Sequence, residues 1–86
     1  MKLKKEFITH TTATESLLVP TGSANFSGLV KGNKTLGVIL ELLKQDTTEE
    51  EIITAMKARF DAPEHIILRD VQKTLFELRR IGALDE

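Results

Sequence analysis

The stretch Thr35-Leu36-Gly37-Val38-Ile39-Leu40-Glu41-Leu42-Leu43-Lys44 decides the fold, because as a helix it is apolar almost all round. Leu36, Val38, Ile39, Leu40, Leu42 and Leu43 leave no broad polar face, so this helix belongs at the centre of a domain. The chain before it follows strand rules. Lys5–Thr11 is rich in β-formers around Phe7 and Ile8, and Thr12-Ala13-Thr14 is a weak turn signal. Ser16–Val19 is a compact apolar run stopped by Pro20. Thr21-Gly22-Ser23-Ala24-Asn25 is turn chemistry, and Phe26-Ser27-Gly28-Leu29-Val30 reads as a third strand, ended by Lys31-Gly32-Asn33. Gly28 inside it marks a bulge or a close backbone approach. The expectation is a three-stranded antiparallel meander over about residues 5–31.

The chain after the apolar helix follows helix rules. Thr48-Glu49-Glu50-Glu51 is a capping box: Thr48 can accept from a free backbone N–H and Glu51 can reach back to the cap. The glutamates also suit the positive end of the helix dipole. Ile52, Ile53, Met56 and Phe60 supply an inward face. Asp61-Ala62-Pro63 breaks the chain and a longer helix follows to Ile81, with Gly82 as its C-terminal cap and Ala83-Leu84 turned back toward the core. Strands followed by three helices (about 35–44, 48–60 and 64–81) give an α+β class in one domain over 1–86. The helices resemble the helical part of a winged helix-turn-helix, with the strands placed first.

Composition narrows the function. An 86-residue chain makes one small domain that buries only about 60% of its unfolded surface, which leaves little room for a deep substrate cavity. There is no cysteine, hence no disulfide framework, thiolate metal site or thiol nucleophile, and a reducing cytosol suits such a chain. No apolar run is long enough for a signal peptide or a membrane span, so a cytoplasmic protein is expected. His10 and His65 are far apart and lack metal-ligand spacing. The carboxylates cluster at helix starts, where capping accounts for them. Serine and threonine have no nearby histidine–acid pattern, and no phosphate-cradling glycine motif occurs. The expectation is a non-enzyme with no cofactor and no metal.

The last helix has two faces. Ile67, Val71, Leu75 and Leu78 form a core stripe, while Arg69, Lys73, Phe76 and Arg80 recur at i, i+4, i+7 and i+11 as a basic stripe with one aromatic. That second stripe suits a charged partner that also brings an apolar group. Net charge is −1, with six Lys against three acidic residues in 1–45 and six Lys/Arg against ten acidic residues in 46–86. A local patch explains this distribution better than a broad nucleic-acid footprint.

Order and spacing from Asn33 onward resemble the PQQ-biosynthesis protein D (PqqD) family, the RiPP recognition elements. The residues that carry the resemblance are Asn33, the helix ending Glu41-Leu42-Leu43, the cap Thr48-Glu49-Glu50-Glu51-Ile52, then Asp70-Val71, Leu75 and Leu78-Arg79-Arg80-Ile81-Gly82-Ala83-Leu84. Leu36 stands where the family often has a small residue and Leu40 where it often has an aromatic. The resemblance implies a peptide-binding module that captures the leader of a ribosomally made precursor by strand addition. It presents the precursor to a separate modifying enzyme, a radical SAM enzyme or another RiPP maturase. It further implies an exposed edge at Phe26, Ser27, Gly28, Leu29, Val30 and Lys31, with Gly28 keeping one position unobstructed. The facing wall would be Arg69, Lys73, Phe76 and Arg80. Two other readings stay open: a winged-helix DNA binder using the last helix, and an adaptor or homodimer in which the edge pairs with its own copy.

Overall fold

The computed structural model describes residues 1–22 and 30–86. In chain order these form β1 (Lys2–Leu3), β2 (Phe7–Thr11), β3 (Ser16–Pro20), β4 (Val30–Gly32), α1 (Lys34–Leu42), α2 (Glu49–Arg59), α3 (Glu64–Arg80) and β5 (Leu84–Asp85). Strands β2, β3 and β4 make the antiparallel meander in that order, so β2 and β4 are its edges. The fold is α+β, with the sheet ahead of three helices, as the sequence indicates.

The described part of the third strand differs in place from its sequence reading. Lys31 and Gly32 belong to the strand, paired with Leu17 and Ser16, instead of ending it. Asn33 is the N-cap of α1, its side chain accepting from the Leu36 N–H at 3.3 Å. Strand therefore passes directly into helix, and the cap signal was hidden inside an apparent turn. A second, two-stranded sheet was also missed: Lys2 and Leu3 pair with Asp85 and Leu84. Runs of two residues carry no readable periodicity.

The core follows from the apolar pattern. Leu36, Ile39 and Leu40 of α1 and its C-cap Leu43 are buried in one core with Phe7 and Leu18 of the sheet and with residues of α2 and α3. Ile67, Val71, Leu75 and Leu78 form the buried row of α3, and Ile52 and Met56 complete the core from α2. The Thr48 hydroxyl caps α2 by accepting from the Glu51 N–H at 3.1 Å. The Glu51 carboxylate takes the Thr48 hydroxyl at 3.3 Å and not the cap's backbone N–H. At the end of α3, Gly82 has φ 75°. Its N–H donates to the Arg79 carbonyl at 3.0 Å, and the Ala83 N–H donates to that of Leu78 at 2.9 Å. This is a Schellman end, and its characteristic apolar contact joins Leu78 to Ala83, both fully buried.

Two close approaches set the sheet on α1. A Cβ at Gly32 would lie 2.5 Å from Leu36 Cδ2 and 2.9 Å from Leu36 Cβ. A Cβ at Gly37 would collide with Ser16 Oγ. Ser16 is 1% exposed and its hydroxyl has no hydrogen-bond partner among the described residues. Burial of an unpaired hydroxyl is unfavourable.

The N-terminus is tied down too. The Met1 ammonium contacts the Asp46 carboxylate and the Thr47 carbonyl, each at 2.7 Å, and the Thr47 N–H donates back to the Met1 carbonyl at 2.8 Å. The hydrogen bond from this ammonium holds the Asp46 carboxyl below its ordinary value of 3.8. Likewise Lys57, at 2.7 Å, joins α2 to Glu64 at the start of α3 and lowers that carboxyl.

Two outcomes follow. Ser16→Ala should stabilise the fold by about 1 kcal/mol in urea unfolding, because it removes the unpaired hydroxyl without opening a cavity; a loss of stability would mean that the hydroxyl is satisfied in solution. Asp46 has a lowered carboxyl pKa when folded, so its stabilisation is present above the ordinary aspartate range and lost as pH falls through the folded value. Melting curves of the parent and Asp46→Asn should therefore differ at neutral pH and converge once the pH has fallen below the lowered folded pKa of Asp46; a constant gap at all pH values would exclude the ion pair as its source.

Candidate functional site

The edge of β4 faces α3 across a shallow groove of about 260 Å³. Its floor and near wall are Val30, Lys31 and Gly32 of β4 with Asn33, Thr35 and Leu36 at the start of α1. Its far wall is Asp70, Lys73, Thr74 and Glu77 of α3. Those four positions fall on one flank of the helix, immediately beside the buried row of Val71, Leu75 and Leu78.

Ladder geometry shows which backbone groups are open. In an antiparallel pair, alternate residues turn their N–H and C=O toward the neighbour and the others turn them away. The Thr21 N–H donates to the Glu6 carbonyl at 2.7 Å, and the Thr12 N–H to the Glu15 carbonyl at 2.8 Å. These contacts fix the parity: Ser16 and Leu18 of β3 turn toward β4, opposite Gly32 and Val30. Lys31 therefore directs its N–H and C=O outward, into the groove beside α3. Its side chain lies on the outer face of the sheet, 3.4 Å from Glu15.

The structure separates the site residues named from sequence. Phe26, Ser27, Gly28 and Leu29 lie outside the described residues. Val30, Lys31 and Lys73 come together in the groove. Arg69, Phe76 and Arg80 are exposed on α3 but point away from the core, beyond Lys73, and do not line the groove. Phe76 is 63% exposed. Arg80 reaches back toward the groove, where it holds Glu77 at 2.6 Å. Arg69 and Lys73 make no ion pair among the described residues. His10 and His65 are exposed on β2 and at the start of α3.

Sequence reasoning missed Asp70, Thr74 and Glu77. Each precedes a buried residue by one position, which puts all three on one flank of the helix, and that was readable. Which flank faces the sheet depends on how α3 crosses the domain, and periodicity does not carry that. The wall is therefore of mixed charge, with Lys73 between two carboxylates. Among the described residues, no group of three or more His, Cys, Asp or Glu side chains could hold a metal ion. No helix among them is long and apolar enough to cross a membrane.

Comparison with known proteins bears on the fold and the family. A solved structure of TbiB1 in complex with the TbiA(beta) leader peptide superposes with a TM-score of 0.74, covering 99% of this chain and 100% of that one at 20% identity. At that identity the likeness establishes the shared fold. No curated protein matches. The model of the coenzyme PQQ synthesis protein D family matches residues 15–84, from just before β3 to the first residue of β5, and the chain belongs to that family.

Proposed function

We propose that this chain is a non-catalytic peptide-recognition module that captures the leader of a ribosomally made precursor and presents it to a separate modifying enzyme. The observation that carries the reading is the edge of β4, which no strand covers among the described residues, facing α3. An extended peptide laid there can bond the outward N–H and C=O of Lys31 while its side chains meet α3. Backbone pairing supplies affinity that does not depend on sequence, and the helix supplies selection. TbiB1, which shares this fold, is solved in complex with a leader peptide, and this supports the reading of the chain as a leader-binding module.

Roles on α3 divide by position. Lys73 lines the groove and is free to meet a leader carboxylate. Arg69, Phe76 and Arg80 form the outer rim, reached by side chains that project over the helix, with Phe76 as the apolar contact. Of the edge named from sequence, Phe26 to Lys31, the reading rests on Val30 and Lys31. All of 1–86 acts as one unit in this reading, within a cytosol that suits its cysteine-free composition. The modifying enzyme would be a radical SAM enzyme or another maturase of ribosomal peptides.

An amide NMR titration with leader peptides encoded beside the gene, and a DNA duplex as control, tests the reading. Leader binding should move Lys31, Gly32 and the Lys73 region; movement of α3 by the duplex alone would overturn the reading in favour of a DNA-binding helix. The triple variant Arg69→Ala, Lys73→Ala, Arg80→Ala removes two free cations and unpairs Glu77 beside the groove. It should weaken leader binding by about 1–2 kcal/mol, roughly 5- to 30-fold, with little change in melting temperature. Unchanged affinity would remove this helix face from the site.

A further inference from the structure

The meander has a second open edge, and its chemistry is different. The parity that turns Lys31 outward also turns Thr9 and Thr11 of β2 outward, because the flanking Glu6 and Thr12 bond inward to Thr21 and Glu15. No strand covers β2 on that side among the described residues. Beside it lies a concave surface of about 740 Å³, lined by Thr9 and by Lys2, Lys4, Lys5 and Lys44. Glu6 and Asp85 are the acidic residues lining it. Lys2, Lys4 and Lys5 make no ion pair among the described residues, whereas Lys44 is held by Glu41 at 3.0 Å. The chain as a whole carries a net charge of −1, so this concentration of cations is local.

We propose that the β2 edge is a docking site for an extended acidic segment of the modifying enzyme, separate from the leader groove on β4. The partner identity rests on the leader-binding reading; the edge and its charge do not. Alternation along an added strand decides what the segment must look like. Side chains on the inner face would point toward Phe7, Thr9 and the end of α1, where the lysines gather, so those positions are carboxylates. Side chains on the outer face would lie beside Ile8, which is 55% exposed and paired across the sheet with Val19. Those positions are apolar and β-branched, since cross-strand neighbours of that kind pack well on a sheet face. The recognised pattern is an alternation of acidic and apolar residues. A second copy of this chain does not meet that requirement, because its own β2 edge would bring the same lysines against these.

The test uses the full chain and a synthetic peptide of alternating glutamate and valine, followed by amide NMR. A peptide with lysine in place of glutamate and an otherwise identical glutamate–valine peptide N-methylated at alternate residues serve as controls. The glutamate–valine peptide should move Thr9 and Thr11 and leave Lys31 and Gly32 in place. Both control peptides should bind at least tenfold more weakly, and so should the Lys4→Glu/Lys5→Glu variant with the parent peptide. Equal binding of the N-methylated peptide would overturn strand pairing, and shifts at Lys31 and Gly32 would overturn the choice of edge. No shift at all would overturn the site. Leader peptides added to the same sample report on Lys31, Gly32 and Lys73, so failure of the leader reading is seen separately from failure of this one.

Discussion

The close seating of the sheet on α1 is the constraint on which the rest depends. Gly32 and Gly37 have no Cβ, which lets β4 and β3 come down onto the helix at Leu36 and Gly37. That contact fixes the level of β4 relative to the helices. Because the start of α1 and the flank of α3 line the same groove, the seating of β4 on α1 also sets where β4 stands beside α3. A side chain at Gly32 would collide with Leu36 and displace the end of the strand from the helix. The unpaired Ser16 hydroxyl marks how tight this layer is, since a buried polar atom without a partner is tolerated only where close packing compensates.

The long helices were legible in the sequence, and the reasons are visible in the core. Every inward residue expected on α3, from Ile67 to Leu78, is buried, and Gly82 terminates that helix with positive φ. The Thr48 cap and the central placement of α1 were legible for the same reason: local chemistry and periodicity both point one way. The short elements were not. Pairing of Lys2-Leu3 with Leu84-Asp85 joins opposite ends of the chain, and nothing within either dipeptide announces it. Lys31 and Gly32 look like loop residues by composition, yet register with β3 makes them strand.

The candidate site was legible in part. Its two supports, an edge strand and the last helix, were identified from residue patterns and family resemblance. Lys73 was placed on the wall by the basic stripe. Selecting a stripe by its contrast with the core, however, favours the face directly opposite the core, and a groove between two elements opens at the flank. Asp70, Thr74 and Glu77 lie on that flank and give the wall a mixed charge that the stripe concealed. Arg80 links the two descriptions through its contact with Glu77.

The length of the α3 wall limits how much sequence can be read there. From Asp70 to Glu77 a helix advances roughly 10 Å at 1.5 Å per residue, a distance that an extended strand covers in about three residues. Even the whole rim from Arg69 to Arg80 corresponds to about five strand residues. In the proposed binding mode, a footprint that short would carry little information and would leave the rest of a leader free to vary.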